Sequence, residues 1–189
     1  MSIDTVVVGR DQLDLLIPLI VEHQRACGRE VDLAITRAFF EGVVGNDASF
    51  QIIAIEEGVA VGCVMVDPIP NLQFADNVAY VHDVYVTEPL RGFRGIGAIL
   101  VAAAFVEAMR RGYEYAEGET EPDNTPARKL YDRLAKKMGV GCKDVGSVRY
   151  LLDLRPGIER ARNEPEYLDR LASPRLLSRL SAPPEADGH

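Results

Sequence analysis

A loop rich in arginine and glycine is the segment of the chain whose residue types best suit chemistry. It follows an apolar, β-branched run at 78–87 and leads directly into a long apolar stretch, and its residues are Arg91, Gly92, Phe93, Arg94, Gly95, Ile96 and Gly97. The first N–H groups of a helix have no internal acceptor and lie at the positive end of the helix dipole, so glycines there let an anion come close. The sequence therefore predicts a strand, a loop and a helix start that bind a phosphate-bearing cofactor, with Arg91 and Arg94 adding positive charge.

Two common phosphate motifs fit this loop less well. Gly95-x-Gly97 lacks the third glycine of a dinucleotide-binding fingerprint, and the chain contains no Gly-Lys-Ser or Gly-Lys-Thr for a P-loop. The identity of the cofactor is therefore not given by the loop alone.

Cysteine and histidine do not form a metal or disulfide pattern. The chain has three of each, at Cys27, Cys63, Cys142, His23, His82 and His189. Their spacing matches neither a zinc motif nor a disulfide framework, so we expect no metal and buried free thiols.

Composition narrows the class of protein. The chain has 189 residues, of which 47% are hydrophobic and 26% charged, as in a globular domain. With 29 acidic against 21 basic side chains the formal charge is −8, which argues against broad nucleic-acid binding and favours cationic small molecules. Without a basic, apolar leader or a membrane-length apolar run, the sequence predicts a cytoplasmic protein with no membrane partner.

Helical periodicity appears first near the N-terminus. After a strand at 3–8, apolar positions three and four apart predict a helix with Asp11 as N-cap and Gly28 at its end. A second helix is predicted at 32–45. Phe39 and Phe40 on it could face either the core or a substrate cleft, and we expect them in the core.

A hairpin follows. Two apolar runs at 50–55 and 59–66 flank the tight turn at 57–58, which predicts two antiparallel strands. Two prolines at 67–71 predict that the sheet is interrupted there.

The second half alternates between strands and helices. The predicted elements are a strand at 78–87, a helix from Gly95 to about 112, a strand at 113–120, a helix at 124–139 and strands at 139–145 and 148–154. The order β-α-α-β-β-β-α-β-α-β-β predicts a mixed sheet with helices on its faces. From Arg155 the composition shifts to Arg, Glu, Pro and Leu, which predicts short amphipathic helices interrupted at Pro174 and a disordered end. We therefore divide the chain into a domain at 1–154 and a C-terminal extension at 155–189.

Two segments together resemble the GCN5-related N-acetyltransferase (GNAT) superfamily. Residues 81–100, VHDVYVTEPLRGFRGIGAIL, resemble its pyrophosphate-binding motif, and residues 124–139, NTPARKLYDRLAKKMG, resemble its Asn-x-x-Ala-x-x-Leu-Tyr helix. The resemblance covers 3–154 and implies an α/β (α+β) GNAT-like fold, a mixed central sheet of about seven strands with helices on both faces. One residue more than usual separates Arg91 from the glycine pair, which places Gly92 where the family has Arg or Gln.

The resemblance implies acetyl-CoA as co-substrate. The family's pyrophosphate is bound by backbone N–H groups, which here belong to Arg94, Gly95, Ile96, Gly97, Ala98 and Ile99. The family's pantetheine arm pairs with the edge of the strand at Val84, Tyr85 and Val86. The downstream motif adds Asn124, Ala127 and Arg128 to the cofactor site.

The resemblance also implies catalytic roles. Tyr131 matches the family tyrosine that donates a proton to the departing thiolate, although it could instead be one of the apolar stripe on its helix, with its hydroxyl at the surface. His82 and Asp83 are the candidate bases, since polyamine acetyltransferases have Glu-Asp at the matching positions; a structural histidine is the alternative for His82.

Strand alternation determines which way these two candidate bases face. It groups His82 with Tyr80, Val84 and Val86, and Asp83 with Val81 and Tyr85, unless a bulge changes the phase. Glu41 and Glu119 are weaker candidates for the base.

The resulting hypothesis is an N-acetyltransferase that moves an acetyl group to a primary amine of a small, cationic molecule. A peptide or protein amine is an alternative acceptor. A non-catalytic acyl-CoA-binding sensor or interaction domain on the same fold is the alternative from another functional class. Leucines in the C-terminal extension suggest a homodimer contact.

Overall fold

The computed structural model describes residues 3–46, 48–72, 74–92, 95–144 and 149–172. The elements in the first half are β1 (Ile3–Val7), α1 (Leu13–Ala26), α2 (Leu33–Val43), β2 (Phe50–Glu56), β3 (Val59–Asn71) and β4 (Asp76–Val86). Those in the second half are α3 (Ile96–Arg110), β5 (Tyr115–Glu119), α4 (Thr125–Met138), β6 (Gly141–Asp144), β7 (Arg149–Asp153), α5 (Arg155–Asn163) and α6 (Tyr167–Ala172). Up to β7 the order of helices and strands is the predicted one.

The strands form one mixed sheet in the order β1-β2-β3-β4-β5-β7-β6. Neighbouring strands are antiparallel except β4 and β5, which run parallel. The predicted α/β architecture with a mixed sheet is thus confirmed, and the parallel pair of β4 and β5 lies inside the sheet, between β3 and β7.

Helices cover both faces of the sheet. On one face α3, buried along most of its length, packs with Ile52, Val64 and Val81 in the larger apolar cluster. On the other face α1 and α2 pack over Ile53, Cys63 and Tyr85 in a second cluster. Residues 52 and 53 point to opposite faces, as strand alternation requires.

The predicted start of the first helix is wrong. Asp11 is not its N-cap, because a 3-10 turn at Arg10–Gln12 precedes α1 and the helix begins only at Leu13. The side chain of Gln12 folds back to accept a hydrogen bond from the N–H of Gly9 (2.9 Å), which stabilises that turn. In α2, by contrast, the Asp32 side chain caps the helix by accepting from the N–H groups of Ala34 and Ile35.

Phe39 also departs from prediction. Phe40 is buried as expected, whereas Phe39 is 59% exposed. The two are neighbours along the helix, about 100° apart around its axis, so a helix lying on a sheet cannot bury both equally.

The predicted interruption at 67–71 is not observed. β3 continues to Asn71, with Pro68 opposite Ala79 and Pro70 opposite Asn77 in β4. On its other side β3 has no strand partner beyond Val66 in the described parts of the chain, and Val66 pairs with Phe50 at the start of β2. A missing proline N–H therefore costs no ladder hydrogen bond on that side, and the strand tolerates both prolines.

The first part of the C-terminal extension packs on the same core. α5 and α6 contact α3, and Leu154, Tyr167 and Leu171 belong to the larger cluster. Leu176, Leu177 and Leu180, Pro174 and the predicted disordered end lie outside the described residues, as do Arg94 and His189.

In the described parts of the chain, no helix is long and apolar enough to cross a membrane. Of the two thiols whose surroundings are described, Cys63 is buried as predicted but Cys27 is exposed. The prediction of a buried thiol at Cys27 is therefore wrong.

Candidate active site

Strands β4 and β5 separate at the centre of the sheet. Their pairing is limited to Ala79 with Ala116, Tyr80 with Glu117 and Val81 with Gly118, although β4 continues to Val86. β3 still pairs with β4 at Val84, Tyr85 and Val86. Residues 82–86 therefore have a strand neighbour on one side only within the described structure, and we call the gap on their other side the β4–β5 cleft.

A β-bulge lies at the closed end of this cleft, directly after the last β4–β5 pair, Val81 with Gly118. Val64 pairs with Val84 but Val66 pairs with Val81, so β4 has one more residue than β3 in this interval. The extra residue belongs to the pair His82 and Asp83, and it changes the phase of the strand.

The bulge corrects the predicted grouping of side chains. Val81 and Val86 both pack in the α3 cluster, although simple alternation puts them on opposite faces. His82 stays with Tyr80, whose ring centroid is 4.6 Å from that of His82. Asp83 lies with Tyr85 on the face of α1. Both candidate bases therefore face away from α3, on the same side of the sheet.

The start of α3 has the features of an anion site. Gly95, with φ of 64°, is the N-cap in the left-handed region that favours glycine, and no side chain caps the helix in the described structure. The N–H of Ile99 donates to the Gly95 carbonyl (3.0 Å), so the predicted contribution of Ile99 to the cradle is wrong: its N–H is used by the helix. The N–H groups of Ile96, Gly97 and Ala98 come before this first helical bond and point out of the helix end.

Gly97 places this helix start beside the cleft. Among the described residues, a Cβ added at Gly97 would meet only the Cγ1 of Val84, at 3.9 Å, which is an ordinary contact. The packing of the described residues therefore does not require glycine here. The side chains of Ile96, Ala98 and Ile99 are buried and anchor the turn.

Arg91 contacts the protein itself. Its guanidinium carbon lies 5.6 Å from the centroid of the Tyr85 ring, and the hydroxyl of Tyr85 donates to Glu22 of α1 (3.2 Å). Burial, followed by the negative charge of Glu22, raises the pKa of Tyr85, so the phenol stays protonated. Gly92, next to Arg91, has a positive φ of 79°.

Tyr131 lies at the closed end of the β4–β5 cleft. It is only 4% exposed, so its hydroxyl is not at the surface. A Cβ added at Gly118 would come within 2.6 Å of that hydroxyl, and Gly118 belongs to the last β4–β5 pair. The ring also packs near Phe105 of α3, with centroids 6.4 Å apart. The sequence motif identified Tyr131 as a candidate catalytic residue, but it gave no indication of Gly118, whose missing side chain leaves space for the hydroxyl.

Of the other residues in the α4 motif, Asn124 caps the helix. The Asn124 side chain accepts from the N–H of Ala127 (3.2 Å), and the Arg128 side chain is exposed. Asn124 is therefore the N-cap of α4, and the αL residue Gly139 ends the helix as expected.

Two histidine–carboxylate pairs lie at the bulge. His82 Nε2 is 3.3 Å from Asp67 Oδ2, and His23 Nε2, on α1, is 3.3 Å from Asp83 Oδ1. Glu117 of β5 adds a third carboxylate on this face; it is 4% exposed and accepts from the Asn71 amide (2.9 Å). Glu41 and Glu119, the weaker candidates, are exposed.

Sequence reasoning missed His23, Asp67 and Glu117. His23 is 60 positions from its partner, and no spacing rule connects a helix residue to a strand residue at that distance. Asp67 was assigned to an interruption of the sheet. A signal did exist for Glu117, because a glutamate inside a predicted strand is unusual.

Comparison with known proteins identifies the fold. The model of the "Acetyltransferase (GNAT) family" matches residues 17–135, which is more than half of the chain. The chain belongs to the GNAT family of acetyltransferases.

Individual proteins similar to this chain are also described as acetyltransferases. An uncharacterized N-acetyltransferase of Bacillus subtilis (strain 168), YhfO, is 26% identical over 139 residues, covering 74% of this chain and 89% of the relative. A solved structure described as a probable acetyltransferase has 25% identity and a TM-score of 0.60, covering 68% of this chain and 85% of that one.

A second solved structure is AAC(6')-Iy in complex with the bisubstrate analog CoA-S-monomethyl-acetylneamine. It is 21% identical with a TM-score of 0.59, covering 71% of this chain and 90% of that one. At this identity the likeness concerns the fold of the acetyltransferase alone. The family predicted from residues 81–100 and 124–139 is confirmed, and with it the class of enzyme.

Proposed function

We propose that this acetyltransferase uses acetyl-CoA to acetylate a primary amine of a small, cationic molecule by direct attack of the amine on the thioester. The observation that carries the proposal is the separation of β4 from β5 beside the open start of α3. One extended ligand can pair with the backbone edge at 82–86 and place a phosphate at the helix N-terminus.

The described residues fit coenzyme A. The N–H groups of Ile96, Gly97 and Ala98, together with the helix dipole, suit a pyrophosphate, and the open space at Gly97 lets it come close. The free edge at Val84 suits the amides of a pantetheine arm, which would pair as a neighbouring strand does. Arg94, Asn124, Ala127 and Arg128 remain proposed cofactor contacts. Arg91 holds Tyr85 instead of a phosphate in this arrangement.

Tyr131 is the proposed acid. Its hydroxyl lies at the closed end of the cleft, where a thioester bound along the strand edge would end. A phenol can protonate a departing thiolate when the two come within hydrogen-bond reach. A backbone N–H of the 82–86 edge can stabilise negative charge on the carbonyl oxygen. Holding both substrates side by side removes the entropy of their encounter.

His82 is the proposed base. It directly follows the last β4–β5 pair, at the closed end of the cleft and on the face away from α3, and its imidazole is 40% exposed and so accessible to an amine. Asp67, at 3.3 Å from Nε2, orients the ring and stabilises its protonated form after it takes the proton. Asp83, beside it on the bulge, is then free to bind the ammonium group of the acceptor.

A cationic acceptor fits the charge around the bulge. Asp67, Asp83 and Glu117 place three carboxylates on the acceptor face, and the whole chain carries a formal charge of −8. The solved relative with an acetylneamine analog shares this fold, which makes aminoglycosides one class worth testing. The cytoplasmic location and homodimer predicted from the sequence stay predictions.

The test is thiol release from acetyl-CoA over a panel of polyamines, aminoglycosides, amino acids and peptides. We expect turnover with at least one small di- or polycationic amine and little with acidic amino acids. A thermal shift with acetyl-CoA checks binding separately, since a ligand at a hundred times its Kd adds about 2.7 kcal/mol of apparent stability. Tight binding without turnover on any amine would favour the sensor interpretation instead, and preferred turnover of peptides would reassign the acceptor.

A further inference from the structure

We propose that His23 is a positioning residue for the acceptor amine: it holds the Asp83 carboxylate in the orientation that binds the ammonium group. The inference rests on the proposed function and adds to it a residue of α1. It assigns the two histidine–carboxylate pairs different tasks. His82 with Asp67 takes the proton, and Asp83 with His23 binds the substrate.

His23 is held by contacts on three sides. Its Nε2 is 3.3 Å from Asp83 Oδ1, and its ring centroid is 5.2 Å from that of Tyr85. Its other nitrogen, Nδ1, is 3.9 Å from the Sγ of Cys27, one turn further along α1. A carboxylate can only accept, so Nε2 donates to Asp83. These contacts define the orientation of the ring.

Asp83 needs such a partner because of its place in the fold. It belongs to the bulge, where the regular ladder with β3 is interrupted. Its side chain is 55% exposed, and on the cleft side β4 has no neighbouring strand in the described structure. Without His23 the carboxylate would be free to change rotamer. With Oδ1 engaged by His23, Oδ2 is left to accept a hydrogen bond from the acceptor.

Loss of the His23 donor should affect binding of the amine and not binding of the cofactor. His23 lies on the face of α1, whereas the proposed phosphate site is at the start of α3 on the opposite face. Loss of the donor should therefore raise the KM of the amine about tenfold, as expected for a hydrogen bond to a charged group, with the KM of acetyl-CoA unchanged.

Two variants separate this role from simple packing. His23→Phe keeps a ring against Tyr85 but has no donor, and His23→Gln loses the ring but can donate from its amide to Asp83. We expect His23→Phe to raise the amine KM and His23→Gln to stay close to wild type. Arg25→Gln, an exposed change on the same helix, is the matched control. If His23→Gln is impaired and His23→Phe is not, the residue only packs and the inference is wrong.

A double-mutant cycle tests whether His23 acts through Asp83. We expect Asp83→Asn to raise the amine KM more than His23→Phe, and the double variant to be no worse than Asp83→Asn alone. Additive effects in an active enzyme would overturn the inference and leave the proposed function standing. Absence of amine turnover in the wild-type protein would overturn the proposed function and this inference with it.

Discussion

Tyr131 and Gly118 meet where β4 and β5 separate, and the contact decides how the tyrosine can act. The absence of a side chain at Gly118 lets a buried phenol reach the end of the cleft. A larger residue at 118 would displace the hydroxyl.

We expect Tyr131→Phe to lower kcat by about 100-fold or more, the usual size of a general-acid contribution, with little change in acetyl-CoA affinity. The ring and its packing on Phe105 are retained, so the variant should stay folded. Steady-state thiol release and isothermal titration with acetyl-CoA measure the two quantities. Unchanged kcat would remove the assignment.

Tyr167→Phe is the matched control for this substitution. Its hydroxyl donates to the Met138 carbonyl (2.9 Å) inside the core and has no proposed role in catalysis. Losing it should cost about 1 kcal/mol of stability and leave kcat unchanged. A fall in kcat for both tyrosines would indicate a general loss of structure.

Cys63 gives a prediction about pH. Burial, with a smaller contribution from the charge of Asp83, raises the pKa of its thiol to about 12. The folded state thus favours the neutral thiol, so this stabilisation is complete below the unfolded pKa of about 9 and is lost as the pH rises from there towards 12.

The free energy of unfolding should therefore fall above pH 9, by on the order of 1 kcal/mol per pH unit from this group. Burial also raises the pKa of Tyr85, Tyr113 and Tyr167, which add to the fall in the same direction. Urea unfolding of the wild-type protein and of Cys63→Ala between pH 8 and 11 measures how much of the fall in the free energy of unfolding is due to the thiol. Identical pH dependence in both proteins would contradict the prediction.

At the scale of elements, the first turn of α3 combines two glycines with different physical reasons. Gly95 has a positive φ that a side chain strains, whereas Gly97 has ordinary backbone geometry and open space for a Cβ. One glycine serves the fold and the other leaves room for a ligand.

We expect Gly95→Ala to lower the free energy of unfolding by about 1 kcal/mol, the cost of a side chain in the left-handed region. Gly97→Ala should be neutral or slightly stabilising, because alanine favours a helix. It should nevertheless weaken acetyl-CoA binding at least tenfold, since the methyl group would occupy the space of the phosphate. Calorimetry of binding and thermal unfolding check both; full affinity in Gly97→Ala would place the phosphate elsewhere.

At the scale of the whole molecule, the helices after β7 help to form the core on which α3 rests. Gly157 lies so close to Met109 that an added Cβ would be 2.6 Å from its sulfur, and Tyr167 is 4% exposed. Arg110 of α3 also pairs with Asp169 (2.8 Å), although an exposed pair of this kind contributes little. The boundary predicted at 154 therefore divides a packed core.

A chain that ends at Leu154 should accordingly be much less stable than the full chain. Tyr167→Ala removes one of the core contacts that the truncation would remove. It should lower the free energy of unfolding by about 3–5 kcal/mol, as for other buried aromatic side chains. Chemical denaturation measures this. The reverse result, full stability of the shortened chain, would support two separable units, and a dimer that survives the truncation would exclude the extension as its contact.

How far the sequence determines this protein depends on the range of the interactions involved. The order of elements, the cap at Asn124, the glycine at the start of α3 and the family follow from local signals: periodicity, capping and backbone freedom act within a few residues. The continuation of β3 through Pro68 and Pro70 does not follow from such local signals, because it depends on where the neighbouring strand β2 begins.

Only the tertiary structure decided the geometry of the site. The bulge that turns His82 and Asp83 to one face depends on the register between β3 and β4, and a shift of one residue reverses every side chain beyond it. The pairing of Asp83 with His23 and the approach of Tyr131 to Gly118 join elements that are distant along the chain. The sequence determined which residues could do the chemistry, and packing between elements decided which of them meet.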